Sequence, residues 1–112
     1  MTAGLFNFEC TKGTALSVVI AVKNPDLEKA QLTSWGSRMQ IRESMSASSV
    51  MLDLTNANGR LVHNVSNGTI TVTLTSAETN TLTSSGIYDL ELVESNSGTV
   101  IRLLQGNFNV TV

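Results

Sequence analysis

From Gly86 to Val112 the alternation of apolar and polar residues specifies strands and also how they pair. The stretch reads as two alternating strands, a tight turn and a third strand running to the C-terminus. Tyr88, Leu90 and Leu92 share one face; Asp89 and Glu91 share the other, with Arg102 opposite them. If the turn closes with Glu94 facing Thr99, then Leu92 meets Ile101, Glu91 meets Arg102 and Leu90 meets Leu103. One register thus sets apolar against apolar on one face and opposite charges on the other, as an antiparallel hairpin with one buried side requires.

The same period of two runs through the rest of the chain. Residues 5–22 predict one long strand or two short ones, with Phe6, Phe8 and Cys10 on one parity and Leu16, Val18, Ile20 and Val22 on one parity after Lys12-Gly13. A glycine interrupting such a pattern marks a bulge or a strand that changes sheets. Asn24-Pro25-Asp26 is a turn, because proline presets φ and favours an extended residue before it. Leu32 to Arg42 alternates again, setting Trp35, Ser37, Met39 and Ile41 against Arg38, Gln40 and Arg42. Ser44 to Ser49 is a polar loop, Val50, Leu52 and Leu54 mark a strand, and Asn56 to Gly59 is a turn. In LVHNVSNGTITVTL, Asn67-Gly68 fits a two-residue type I′ turn, since both residues tolerate positive φ. Closure there predicts the pairs Val65–Ile70, His63–Val72 and Leu61–Leu74, with Thr69, Thr71 and Thr73 outside. Thr75-Ser76-Ala77-Glu78 is a capping-box pattern that opens a short helical turn near residues 76–82. These elements predict an all-β fold, an antiparallel β-sandwich of about seven strands in a single domain, residues 1–112.

Composition narrows what such a domain can do. At 112 residues the chain can bury roughly two thirds of its unfolded surface without covalent staples. Charged residues make up only 14% of the chain against 41% hydrophobic, which suits hydroxyl-bearing strand faces better than charged helices. A net charge of −2 gives no electrostatic footprint for nucleic acid or an anionic membrane. Leu16 to Val22 is too short to span a bilayer. The first residues, MTAGLFNFECTKG, lack a basic segment leading into a long apolar run, so synthesis in a reducing cytoplasm is expected. With Cys10 the single cysteine, neither an intrachain disulfide nor a cysteine zinc cluster can form.

Parts for catalysis are missing. His63 is the one histidine and falls on the apolar side of its predicted hairpin, as a neutral, partly covered strand residue. Asp89 and Glu91 share a face but lie opposite Arg102, as a solvated charged surface does, and no acidic loop exists to complete a calcium site. Cys10 has only Lys12 nearby to lower its pKa and is expected as a small core residue. Glycines stand singly and never form a phosphate-cradling cluster. Asn64, Asn67 and Asn109 match the glycosylation pattern but, with no secretory signal, are accidents of an Asn/Thr-rich chain. Trp35 is a core plug. No enzyme activity, cofactor or metal is expected. A carbohydrate-binding module would want an exposed aromatic platform, and the one Trp and one Tyr both sit at inward parities.

The order of motifs nevertheless resembles one family. Phe6-x-Phe8 followed by Lys12-Gly13-Thr14, Leu32-Thr33-Ser34-Trp35, the strand Arg38 to Arg42, Asn67 to Val72, Thr75 to Thr79, Gly86 to Leu92, Val100 to Leu104, Gly106 and Val110-Thr111-Val112 are similar to immunoglobulin-like modules of tailed-bacteriophage virion proteins. The pattern they resemble most is the N-terminal domain of the baseplate upper protein of siphophages. The resemblance implies that the sandwich is immunoglobulin-like and that the chain is a non-catalytic structural protein of the virion, made in the host cytoplasm, that docks at the tail or baseplate and holds or adapts receptor-binding parts. Capsid decoration is the alternative use of the same module. Its partners would be other phage structural proteins, met in several symmetry-related copies. Asn24 to Gln31 is longer and more charged than the family's short turn. Terminal strands often lie at sheet edges, where a partner can add a strand. The candidate partner contacts are therefore Phe6, Phe8 and Phe108 near the chain's ends, and Asp26, Glu28 and Lys29 in the atypical segment.

Overall fold

Period-two alternation becomes nine strands and one short helix among residues 4–21, 35–44, 46–64, 68–95 and 97–111, which the structure, a computed structural model, describes. In chain order these are β1 (Gly4–Leu5), β2 (Phe8–Thr11), β3 (Leu16–Ala21), β4 (Trp35–Arg42), β5 (Leu52–Thr55), β6 (Leu61–Asn64), β7 (Thr69–Leu74), α1 (Ser76–Asn80), β8 (Gly86–Glu94) and β9 (Val100–Thr111). The larger sheet runs β1-β9-β8-β4-β5, with β2 also paired to β9; the smaller runs β3-β7-β6. Every pairing is antiparallel except those of β1 and β2, which lie parallel to β9. In immunoglobulin lettering this is a G-F-C-C′ sheet facing a B-E-D sheet, the variable-type arrangement.

The predicted inward residues line the space between the sheets. Met39 and Ile41 of β4, Ile70, Val72 and Leu74 of β7, and Tyr88, Leu90 and Leu92 of β8 are all buried, as are Trp35 and Ser37. Each large apolar side chain so covered contributes about 1.5–3 kcal/mol. The outward residues of β4 and β8 carry a row of charges. Arg38 pairs with Glu91 at 2.6 Å, and Arg102 lies 3.3 Å from Asp89 and 3.8 Å from Glu91.

Two pairings differ from the sequence expectation. Residues 86–111 make two strands rather than three, and around their turn Glu94 donates its N–H to Thr99 O at 2.8 Å, as predicted. Leu92 meets Ile101 and Glu91 meets Arg102, but Leu90 meets Leu104 rather than Leu103, because a β-bulge intervenes between Leu90 and Glu91. Leu103, the extra residue, is buried. In the β6–β7 hairpin His63 pairs with Ile70 and Leu61 with Val72, two residues away from the predicted register. The loop is accordingly longer than a two-residue turn. Gly68 N–H donates to Asn64 O at 2.9 Å, and Gly68 takes φ +67°, the left-handed value that favours glycine. A slip of two preserves the facing of every side chain, so Leu61 is still buried. Asn67 and the turn Asn24-Pro25-Asp26 lie outside the described residues.

Lys12-Gly13 is where the chain changes sheets, from β2 beside β9 to β3 beside β7. The crossing is tied to α1. Thr79, fully buried, donates its hydroxyl to Thr14 O at 2.8 Å and accepts from Gly13 N–H at 3.1 Å. The helix itself starts as the capping box predicts, with Glu78 N–H donating to Thr75 Oγ1 and Thr75 N–H to Glu78 Oε1 at 2.9 Å. Arg60 Nε donates to Glu78 Oε2 at 2.6 Å.

Leu90→Ala is expected to cost about 2–5 kcal/mol in a denaturant titration, and Glu91→Ala no more than about 1 kcal/mol. A larger loss at Glu91 would mean that the strand faces the other way.

Acid should find Glu78. Partial burial raises its pKa, but the Thr75 N–H and hydroxyl and the Arg60 guanidinium outweigh that and hold it below the ordinary glutamate value of about 4.5. A depressed folded pKa gives stability that is present above the unfolded value and lost as pH falls through the folded one. Glu78→Gln should therefore melt below the parent protein at neutral pH, with the gap closing as pH drops beneath about 4.5. A gap that is constant with pH would take Glu78 out of the acid response.

Candidate interaction surface

A strand that sits last in a sheet leaves one row of backbone groups unpaired, so edges are where a β domain can take up a partner. Among the described residues the larger sheet ends on one side in β1 and β2, which share β9 as their neighbour. β9 itself is not an edge, since β8 pairs along its other side. The break between β1 and β2 falls at Phe6-Asn7 and is held from several directions. Phe6 N–H donates to Gln105 O at 3.1 Å, and Asn107 N–H donates to Asn7 Oδ1 at 3.0 Å. The Tyr88 hydroxyl reaches across β9 and donates to Phe6 O at 2.6 Å.

That reach depends on Gly106, which pairs with Tyr88 in the β8–β9 register. A Cβ at Gly106 would stand 2.2 Å from Phe6 O, far inside contact distance. The missing side chain thus allows both the close approach of the edge segment and the passage of the tyrosine over β9. Burial pushes the Tyr88 pKa well up, so the phenol keeps the proton that it donates to Phe6 O.

The aromatic residues expected at the surface divide between inside and outside. Phe8 and Phe108 are buried and stack with their ring centres 5.6 Å apart, so neither is available to a partner. Their adjacency follows from the parallel pairing of β2 with β9, which sets Phe8 beside Phe108. Phe6 is 41% exposed and meets Phe8 edge to face at 5.0 Å; Leu5 beside it is 81% exposed. The edge therefore presents an apolar pair whose aromatic member is braced against the core. Asp26, Glu28 and Lys29 lie outside the described residues. Sequence reading missed Leu5, Tyr88 Oη and the role of Gly106. A lone glycine in a strand pattern was the available signal, and it points to close backbone approach without saying by what.

Elsewhere the structure joins several of the residues that the sequence singled out. His63 is half-buried on β6, and its Nε2 lies 2.6 Å from the Ser37 hydroxyl on β4, a polar link between the two sheets. Ser37 is only 4% exposed, and its N–H is already bonded to Asn56 Oδ1 at 3.0 Å, so that hydroxyl is held inside the sandwich. Cys10 is buried, which raises its thiol pKa. Among the described residues no group of three or more His, Cys, Asp or Glu could hold a metal ion, and no helix is long and apolar enough to cross a membrane.

The strand order and the parallel pairing of the first strands with the last define the class as an immunoglobulin-like β-sandwich of the variable type. No protein-family model matches the chain, and no curated protein matches it in sequence. Solved structures share its fold. The NK cell receptor NKp44 superposes with a TM-score of 0.58 at 17% identity, covering 99% of this chain and 100% of the receptor structure. The N-terminal domain of phage TP901-1 ORF48 gives the same TM-score of 0.58 at 9% identity, covering 100% of both chains. At such identities each likeness is one of fold.

Gly106→Ala should loosen the β1–β2 edge far more than Tyr88→Phe, which removes one hydrogen bond worth about 0.5–1.5 kcal/mol. Amide hydrogen exchange at Phe6 and Asn107 reads the difference: rapid exchange is expected in Gly106→Ala and only a modest increase in Tyr88→Phe. Unchanged exchange in Gly106→Ala would mean that the edge is held by something other than this close approach.

Proposed function

We propose that the chain is a non-catalytic structural module of a tailed-bacteriophage particle. In this reading it is made in the host cytoplasm and docks at the tail or baseplate, where it holds or adapts receptor-binding parts. The observation that carries the reading is the end-to-end fold likeness to the N-terminal domain of phage TP901-1 ORF48. The order of sequence motifs, which resembles phage immunoglobulin-like virion modules, supports it independently.

The receptor NKp44 is equally similar in fold and would argue for an extracellular setting. Cysteine usage favours the phage reading. Small extracellular domains lean on disulfides, whereas this chain has one cysteine, buried in β2, and closes its core without a bridge. A module of this kind works through contact. The exposed Leu5 and Phe6 at the edge of the larger sheet are an apolar contact suited to that, with the charged segment 24–31 as a second candidate. Repetition of the domain by particle symmetry would multiply a contact that is weak in a single copy.

Purified particles test this directly, by labelled antibody or by particle reconstruction. Density or label at the tail or baseplate is expected. Position on the capsid would replace this reading with a decoration role, and absence from particles would end both. Leu5→Asp, at a position 81% exposed, should lower incorporation while leaving the melting temperature unchanged. Removal of residues 24–31 with unchanged incorporation would clear that segment of any part in docking.

A further inference from the structure

Asn58-Gly59 closes the turn between β5, in the larger sheet, and β6, in the smaller. An asparagine followed by glycine is chemically exposed in a free chain, because no Cβ shields the amide nitrogen that follows the side chain. That nitrogen gives up its proton to solvent base and attacks Asn58 Cγ. The new N–Cγ bond closes a five-membered imide, the Cγ–Nδ2 bond breaks, and ammonia leaves with a proton taken from water. One water then opens the ring to aspartate or isoaspartate. The reaction requires Cγ to swing onto the nitrogen, the nitrogen to lose its proton and Nδ2 to depart.

The folded turn opposes all three movements. Asn58 Oδ1 accepts from Thr55 N–H at 3.0 Å and from Arg60 N–H at 3.1 Å, while Nδ2 donates to Asp53 O at 3.0 Å. The Gly59 N–H that must ionise donates to Asn56 O at 3.3 Å. Asn58 N–H is taken by Thr55 Oγ1 at 3.0 Å, which fixes the backbone on the near side. Burial plays no part: the turn is exposed, and nothing lies within 4 Å of where a Gly59 Cβ would point. Water and base therefore reach the site freely, and the hydrogen bonds alone stand in the way.

We propose that Asn58-Gly59 is a masked deamidation site, protected while the turn is closed and released when it opens. The reaction also damages what protected against it. An aspartate at 58 still accepts from Thr55 and Arg60 but has no N–H for Asp53 O and sets a carboxylate against that carbonyl. Isoaspartate adds a carbon to the backbone where the chain passes from one sheet to the other.

The test incubates the full chain at mildly alkaline pH, once folded and once in denaturant, and follows Asn58 by site-resolved mass spectrometry. Conversion is expected to be at least about tenfold slower in the folded protein, since it must wait for local opening. Equal rates would overturn the proposal. Asn58→Asp, made directly, should fold with a lower melting temperature; an unchanged value would show that the Nδ2–Asp53 bond does not hold the turn.

Discussion

Side chains on a strand alternate strictly, so the one extra residue in β9 reverses the facing of everything after it. Without the bulge at Leu103, strict alternation would carry Asn107 into the core and turn Phe108 to solvent. With it, Leu103 is buried, Leu104 faces Leu90, Gly106 faces Tyr88, and Phe108 arrives inside to stack on Phe8. The first strands have a place because of this reversal. Phe8 and Cys10 lie beside Phe108 and Val110, and the tyrosine crosses over Gly106 to hold Phe6. The edge of the larger sheet thus hangs on one local irregularity in its neighbour.

Much of this was legible in the residues. Alternation located β4, β7 and β8 and assigned their buried faces, and Thr75-x-x-Glu78 announced α1 with its capping box. Adjacent Leu103 and Leu104 even mark the parity change in β9, but a register drawn by continuing a ladder runs straight through it. The β6–β7 slip has a similar origin. Asn67-Gly68 matches a short turn so well that it hides the longer loop, and a shift of two leaves the apolar pattern equally satisfied, so patterning alone cannot object. Contacts between distant segments were beyond reach, because periodicity says which face a residue occupies and nothing about what lies across from it. The Ser37–His63 link and the Tyr88–Phe6 bond both fall in that class. For the candidate contacts, proximity to the chain's ends was a poor guide: the parallel pairing that buries Phe8 and Phe108 leaves Phe6 and the unconsidered Leu5 outside.

The two sheets have unlike outer faces. Charges gather on the larger sheet, along Arg38, Glu91, Arg102 and Asp89, where exposure to water makes each pair worth little to stability. The strands of the smaller sheet carry no Asp, Glu, Lys or Arg, and present Ser17, Val19, Thr71 and Val62 instead. Among the described residues the strand charges therefore lie mainly on one side of the sandwich, and the two outer faces differ in electrostatic character.

The parallel partnership of the first strands with the last has a consequence for how the protein comes into being. Glu9 pairs with Asn109 and Phe8 with Phe108, so among the described residues β1 and β2 find their ladder only once β9 has been synthesised. Until β9 has been made the apolar pair Phe8 and Cys10 must wait uncovered, whereas β3–β7 and the β6–β7 hairpin can pair well before the N-terminus is captured. A ribosome makes this domain from its first residue onward, but the edge that carries Leu5 and Phe6 is the last part of it that can be finished.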